Sequence, residues 1–274
     1  MYERNLKYDK FIFNGLDCKD SFGIIRCNFD SSEDTFSGGD IETNTYSPKN
    51  SNEWKITSSK YSSPISFSIS FCKCNGEFFD FTEMKKISRW LIHEEEYKLL
   101  QFYTTAGNKS EDICYECKAT KNIDWKMVGE KCVGGTVNFI SKHPFARTPD
   151  IVQTFYVSGN NSYDFACNSD TKFVYPFEIT IKITSNCDVR FTIVSSIHGA
   201  EATVIRNCKT NEIIKIDCIN KVITTTDSSH DIANDFNYIF QKIGCGKEND
   251  LNAFKGTGNF EMTMKYYEAR KVVI

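Results

Sequence analysis

Twelve cysteines and four histidines are the residues of this chain best suited to do chemistry. Cys72 and Cys74 form a C-x-C pair, and Cys114 and Cys117 a C-x2-C pair. Such spacings hold zinc when the thiolates sit on a turn and a second pair completes the tetrahedron. The segment around the second pair, ICYECKA, reads as a strand. Side chains alternate along a strand, so a separation of three sends the two thiols to opposite faces. A glycine turn is missing beside them, as is the helix N-terminus and βαβ setting of a redox dithiol. The sequence therefore predicts small, buried or half-exposed strand residues and no metal or other cofactor.

The histidines are His93, His143, His198 and His230. None lies in a His-Glu-x-x-His pattern, and the chain has neither a Gly-x-Ser-x-Gly elbow nor a Gly-x-x-x-x-Gly-Lys phosphate loop. His93-Glu94-Glu95-Glu96 is a charged cluster that reads as a solvated helix end. Gly38-Gly39 and Gly134-Gly135 are isolated pairs that suit turns. With 36 acidic residues, acid pairs for glycoside cleavage carry no signal. No catalytic residue is assigned and no enzyme is predicted. All three tryptophans, Trp54, Trp90 and Trp125, fall in the first half, so the second half has no tryptophan platform for a sugar.

Several partners are excluded by bulk properties. The 274 residues carry 33 Lys and Arg against 36 Asp and Glu, a net charge of −3. A duplex-binding protein usually needs a basic excess to displace counterions, so no specific nucleic acid is expected. The opening MYERNLKYDKFIFNG lacks the apolar core of a secretory signal, and no more than three strictly apolar residues follow one another anywhere. Neither export nor membrane insertion is predicted, and the thiols are expected to be reduced when the chain folds.

The elements that must position these residues are mostly strands. Ser66 to Cys74, SFSISFCKC, alternates Phe67, Ile69 and Phe71 with serines, the pattern of a half-buried strand. Phe177 to Ile183, Val189 to Ile193, Glu201 to Ile205, Glu212 to Ile216 and Lys221 to Thr225 come next, separated by turn residues, and suggest an antiparallel sandwich. One helix is predicted over Thr82 to His93, with Thr82 as N-cap and Met84, Ile87, Trp90 and Leu91 on one face. Ile232 to Ile243 suggests a short, irregular helix or turn. Thr35 to Lys60 is polar and reads as a long exposed loop, and Ile140 to Gly159, with Pro144 and Pro149, as an extended connector. The fold class is mainly β with a minor α contribution, in two domains, 1–148 and 149–274. The first half shows many polar strand edges and little apparent core, which neighbouring subunits could cover.

Taken in order, these elements resemble the distal tail protein (Dit) family of tailed bacteriophages and phage-like particles. The resemblance rests on Phe11-Ile12-Phe13-Asn14-Gly15 with Ser21-Phe22-Gly23-Ile24, on the helix with the segment after it (Ile87 to Phe102), and on Gly134 to Phe139 leading to His143-Pro144-Phe145-Ala146. In the second half it rests on Pro176 to Ile183, Phe236-Asn237-Tyr238-Ile239-Phe240, Asn249-Asp250-Leu251-Asn252 and a last strand, Phe260 to Tyr266. The twelve cysteines are a departure from the family pattern.

The resemblance implies an N-terminal β-barrel or sandwich ring (belt) domain with one helix and a C-terminal galectin-like β-sandwich. It implies a homo-oligomer, a hexameric ring, at the tail tip or baseplate of a virion or phage-like particle, assembled in the host cytoplasm. Implied partners are the tail tube protein, the tail-tip hub or tail-associated protein, and also the tape measure and receptor-binding proteins docked through the second domain. The alternative is a carbohydrate-binding adhesin or receptor-binding protein using the C-terminal sandwich. A galectin-like fold does not by itself imply sugar binding.

Overall fold

Asn14 and Gly15 both take positive φ (50° and 77°), as the central residues of a two-residue hairpin turn must when its twist matches the strands. They join β1 (Lys10–Phe13) to β2 (Leu16–Asp17). The computed structural model describes residues 9–29, 39–49, 52–92, 95–103, 113–197, 199, 201–245 and 251–271. It divides into two compact units, one of residues up to Arg147 with a return at Arg270, the other spanning Thr148–Ala269.

In the first unit the chain continues through α1 (Cys18–Phe22), β3 (Ile24–Arg26), β4 (Ile41–Tyr46), β5 (Lys55–Tyr61) and β6 (Ser66–Lys73). After these come α2 (Phe81–Leu91), β7 (Lys98–Tyr103), β8 (Ile113–Ala119), β9 (Asp124–Val128), β10 (Lys131–Ser141) and β11 (Ala146–Arg147). The main sheet runs β2-β1-β7-β8-β10-β6-β3. Arg26 N–H donates to the carbonyl of Asp9 at 3.0 Å, so β3 curls back towards the first strand.

The inside is aromatic. Phe11, Phe13, Phe67, Phe71, Phe102, Tyr115 and Phe139 are all buried, and the alternation of Ser66 to Cys74 is the inward face of β6. This core corrects the expectation of little core in the first half.

Helix α2 covers this core. Its N-cap is Asp80, two residues before the predicted Thr82. Asp80 accepts from Glu83 N–H, and the Glu83 carboxylate accepts from Asp80 N–H, both at 2.8 Å. That reciprocal capping box satisfies two orphan N–H groups at once, which Thr82 could not do. Trp90 donates its indole N–H to the Phe13 carbonyl at 2.9 Å and stacks on Phe22 with centroids 4.2 Å apart. The predicted helix end, His93, lies outside the described residues.

Gly134 and Gly135 also differ from expectation, lying inside β10 rather than in a turn. A side chain on Gly134 would run into the Phe29 ring and the Phe71 carbonyl, so the residue is needed for close approach.

The second unit is organised by two long strands, β12 (Ile151–Ala166) and β20 (Leu251–Tyr266). Between them lie β13 (Phe173–Val174), β14 (Glu178–Ile183), β15 (Cys187–Val194), β16 (Thr203–Cys208), β17 (Ile213–Asp217), β18 (Val222–Thr225), α3 (Ile232–Asp235) and β19 (Ile243–Gly244). β20 pairs along its whole length with β12, from Ile151 opposite Tyr266 to Ala166 opposite Leu251. Its other edge is shared, Ala253 to Thr257 by β15 and Phe260 to Lys265 by β14. The two branches then face one core, with Ile179, Ile181, Ile214 and Ile216 from one and Val189, Phe191, Ile193 and Ile205 from the other.

The short strands match the alternating segments of the sequence closely. The long ones are only half visible there: β12 takes up the second half of the expected connector, and β20 begins well before Phe260. Gly159, Gly256 and Gly258 interrupt the apolar alternation along the pair. The Ile232 to Ile243 stretch is helical only as far as Asp235, as expected of an irregular segment. The mainly β class holds, with three helices among the described residues.

Candidate functional site

The largest departure from the sequence reading lies between β3 and β6. The segment expected to be a loop is a hairpin arm, in which β4 and β5 pair from Ile41 opposite Tyr61 to Tyr46 opposite Lys55. Every residue of both strands is exposed, and Ile56 is 69% and Trp54 71% accessible. Ile, Thr and Tyr suit a pleated backbone, and Asn44 Nδ2 donates to Ser58 Oγ across the strands at 2.9 Å. Neither face has a core to rest on. A two-stranded hairpin is marginal in water by itself, so the arm presents two unsupported faces.

The arm's root is fixed. Ser62 N–H donates to the Asp40 carbonyl at 2.8 Å, and the Tyr61 ring meets Phe145 edge-on at 5.9 Å. His143 stacks on the other side of this contact, its ring at 12° to Phe145. Below them Glu116 is held by Lys142 at 3.1 Å and Arg147 at 3.2 Å. A hydrogen bond from His143, opposed by burial and reinforced by Lys142 and Arg147, brings the Glu116 carboxyl down to about 2. This network joins residues that sequence reasoning could not connect.

Further large apolar side chains are exposed around β10. Phe79 N–H donates to the Cys132 carbonyl at 2.9 Å, with Phe78 and Phe81 exposed on that edge and Met127 and Val128 exposed on β9, which pairs with the other edge. These four side chains are 46%, 79%, 53% and 66% accessible. Lys131 Nζ lies 4.7 Å from the centre of the Phe78 ring.

The sequence's chemical candidates are scattered. Cys114 and Cys117 are both fully buried, Cys117 within the aromatic core and Cys114 away from it. Cys72 is half-buried and Cys74 exposed. No group of three metal-ligating side chains is assembled among the described residues. His93, His198 and Gly38 lie outside them. Trp90 is structural, while Trp54 stands on the arm and Trp125 is packed beside Phe71 and Phe79.

His230 is the one described histidine with a strongly directed setting. Its Nδ1 lies 2.6 Å from Glu212 Oε1 and its Nε2 3.3 Å from Asp235 Oδ2, with the ring 1% exposed. Burial pushes the Glu212 carboxyl up, but bonds from Thr225, His230 and Lys209 N–H outweigh it and leave the group below its usual range. The cluster ties the start of β17 to α3. With its ring shut away from solvent, the arrangement is that of a structural clasp.

Comparison with known proteins identifies the family. Residues 6–142 match a family described as a phage tail protein N-terminal domain, and residues 146–266 match a phage tail C-terminal domain. No curated protein matches the chain. Among solved structures it is similar to the Dit protein of phage SPP1, described as a paradigm of the hub adsorption apparatus in phages infecting Gram-positive bacteria. That likeness has a TM-score of 0.58 at 10% identity and covers 94% of this chain and 98% of that one. A chain of the phage P2 baseplate in its activated conformation is similar as well, with a TM-score of 0.54 at 9% identity, covering 98% of this chain and 100% of that one. At such identities the structural likeness speaks for the fold. The two family matches, which together span nearly the whole chain, place it in the phage tail proteins.

Proposed function

We propose that this phage tail protein is a structural hub of the tail tip, a ring of six copies joining the tail tube to the tip proteins. In this reading residues 1–148 build the ring and residues 149–274 dock peripheral, receptor-binding components. The chain acts by assembly and not by catalysis. The observation that carries the reading is the β4–β5 arm, whose strand residues are all exposed although Ile41, Tyr46, Ile56 and Tyr61 are large and apolar. Such a hairpin gains stability when it lies against another surface, and a copy of the same chain supplies one in a closed cyclic assembly. The likeness to a Dit protein and to a baseplate chain supports the same assignment.

The test is the assembly mass of the purified chain by light scattering behind size exclusion, over a range of concentrations and with the tail tube protein added. A discrete species of about six subunits is expected. The double variant Ile41→Ser, Ile56→Ser is expected to lose that species while its thermal unfolding as a monomer stays unchanged. A wild-type chain that remains monomeric even with the tube protein would overturn the ring.

A further inference from the structure

The twelve cysteines are unexplained by assembly, and none is in a disulfide. Two of them meet at the outer end of β6. Ile25 of β3 stands directly opposite Cys72, and Cys27 N–H donates to the Ser70 carbonyl at 3.0 Å. Cys27 is two residues beyond Ile25, so its side chain shares the face of Ile25 and Cys72 and lies diagonal to Cys72. Both side chains are half-exposed. Cys27 lies just past the last residue of β3, where a small backbone shift can bring the sulfurs to bonding distance.

We infer that Cys27 and Cys72 form a reactive dithiol, a modification site for small-molecule disulfides that ends in a Cys27–Cys72 cross-link. The Cys72 thiolate attacks one sulfur of oxidised glutathione, forming a mixed disulfide and releasing one glutathione thiolate. Cys27 then gives up its proton and attacks the Cys72 sulfur, forming the protein disulfide and releasing the second glutathione. Two protein thiols are oxidised as one glutathione disulfide is reduced. A hydrogen bond from Cys27, working against partial burial, brings the Cys72 thiol down to about 7, which suits the attacking role.

A second pair shows why exposure matters. Cys167 and Cys245 are also within hydrogen-bonding reach of each other, but both are buried. That bond and burial push the Cys245 thiol far upward, and the burial of both side chains keeps a disulfide in solution from reaching them. The Cys27–Cys72 cross-link, by contrast, would close a loop of residues 28–71, and the arm lies within it. The dithiol lies at the end of β6 remote from the arm's root, and its chemistry does not depend on the ring.

The experiment treats the reduced full-length chain with oxidised glutathione at pH 7, quenches in acid and maps peptides by mass. A Cys27–Cys72 peptide, lighter by two hydrogens, is expected to appear before any product at Cys167 or Cys245. Alkylation of Cys72 by iodoacetamide is expected to be half-maximal near pH 7, and about four-fold faster at that pH than an unstructured peptide thiol. Cys27→Ser should stop the reaction at a glutathione adduct on Cys72 and raise the midpoint of its alkylation profile. Prior oxidation at the buried pair, or a Cys72 profile no different from the peptide thiol, would overturn the proposal without any variant needing to fold.

Discussion

Two antiparallel strand pairs in this molecule have nearly opposite fates. β12 and β20, distant in sequence, pair over their full length and turn alternate side chains, among them Phe155, Phe254 and Phe260, into a closed core. The β4–β5 arm uses the same ladder and leaves every strand residue exposed. Backbone pairing is common to both, so it is not what separates a stable strand pair from one awaiting a partner. The separating quantity is apolar area removed from water, worth about 25 cal/mol per Å2. The β12–β20 pair finds that area within its own unit, whereas the arm must find it elsewhere.

The strongest way to break the comparison is Phe254→Ala. The Phe254 ring is fully buried and stacks on Phe155 at 4.2 Å. Its loss should cost about 3–5 kcal/mol, read as a lower denaturant midpoint for the unit spanning Thr148–Ala269. A loss below about 1 kcal/mol would mean that the β12–β20 pair is no better anchored than the arm.

An intermediate effect is expected at the arm's root. Glu116 is held at about 2 in the folded chain, below its usual 4.5. A lowered carboxylate contributes stability that is present above the unfolded value and is lost as pH falls through the folded one. Stability should therefore fall between about pH 4.5 and pH 2. Glu116→Gln should flatten that part of the curve while lowering stability at pH 7 by about 1–3 kcal/mol. An unaltered acid limb in the variant would show that the network around Lys142, His143 and Arg147 does not support the root.

The smallest effect belongs to the arm itself. Lys60 pairs with Glu42 at 3.1 Å with both side chains mostly in water, and exposed ion pairs contribute about 0–1 kcal/mol. Lys60→Ala should leave the melting temperature of the monomer unchanged within error. A clear drop would show that the arm is already supported within a single chain.

The same contrast explains how much of the fold is legible without the structure. Phe67, Ile69 and Phe71 announce β6 because alternation is the imprint of one buried face, and Met84, Ile87, Trp90 and Leu91 announce α2 in the same way. The arm has no buried face, so its strands leave no apolar period and read as a polar loop. β12 and β20 are blurred where Gly159 meets Gly258 and where Gly256 interrupts the period. Gly134 looks like a turn residue because the need for a missing side chain comes from Phe29, far away in sequence. No window of sequence holds Glu116 with Arg147, Glu212 with His230, or Cys27 with Cys72.

Periodicity is local, so the sequence by itself determined the β class, the single long helix and the order of elements that resembles the distal tail proteins. Register, curl and the meeting of distant side chains depend on which faces find each other once apolar area is buried. Only the tertiary structure therefore decided that β4 and β5 form an exposed arm, that Glu116 stands beneath its root, and that two of the twelve thiols lie diagonally across β3 and β6.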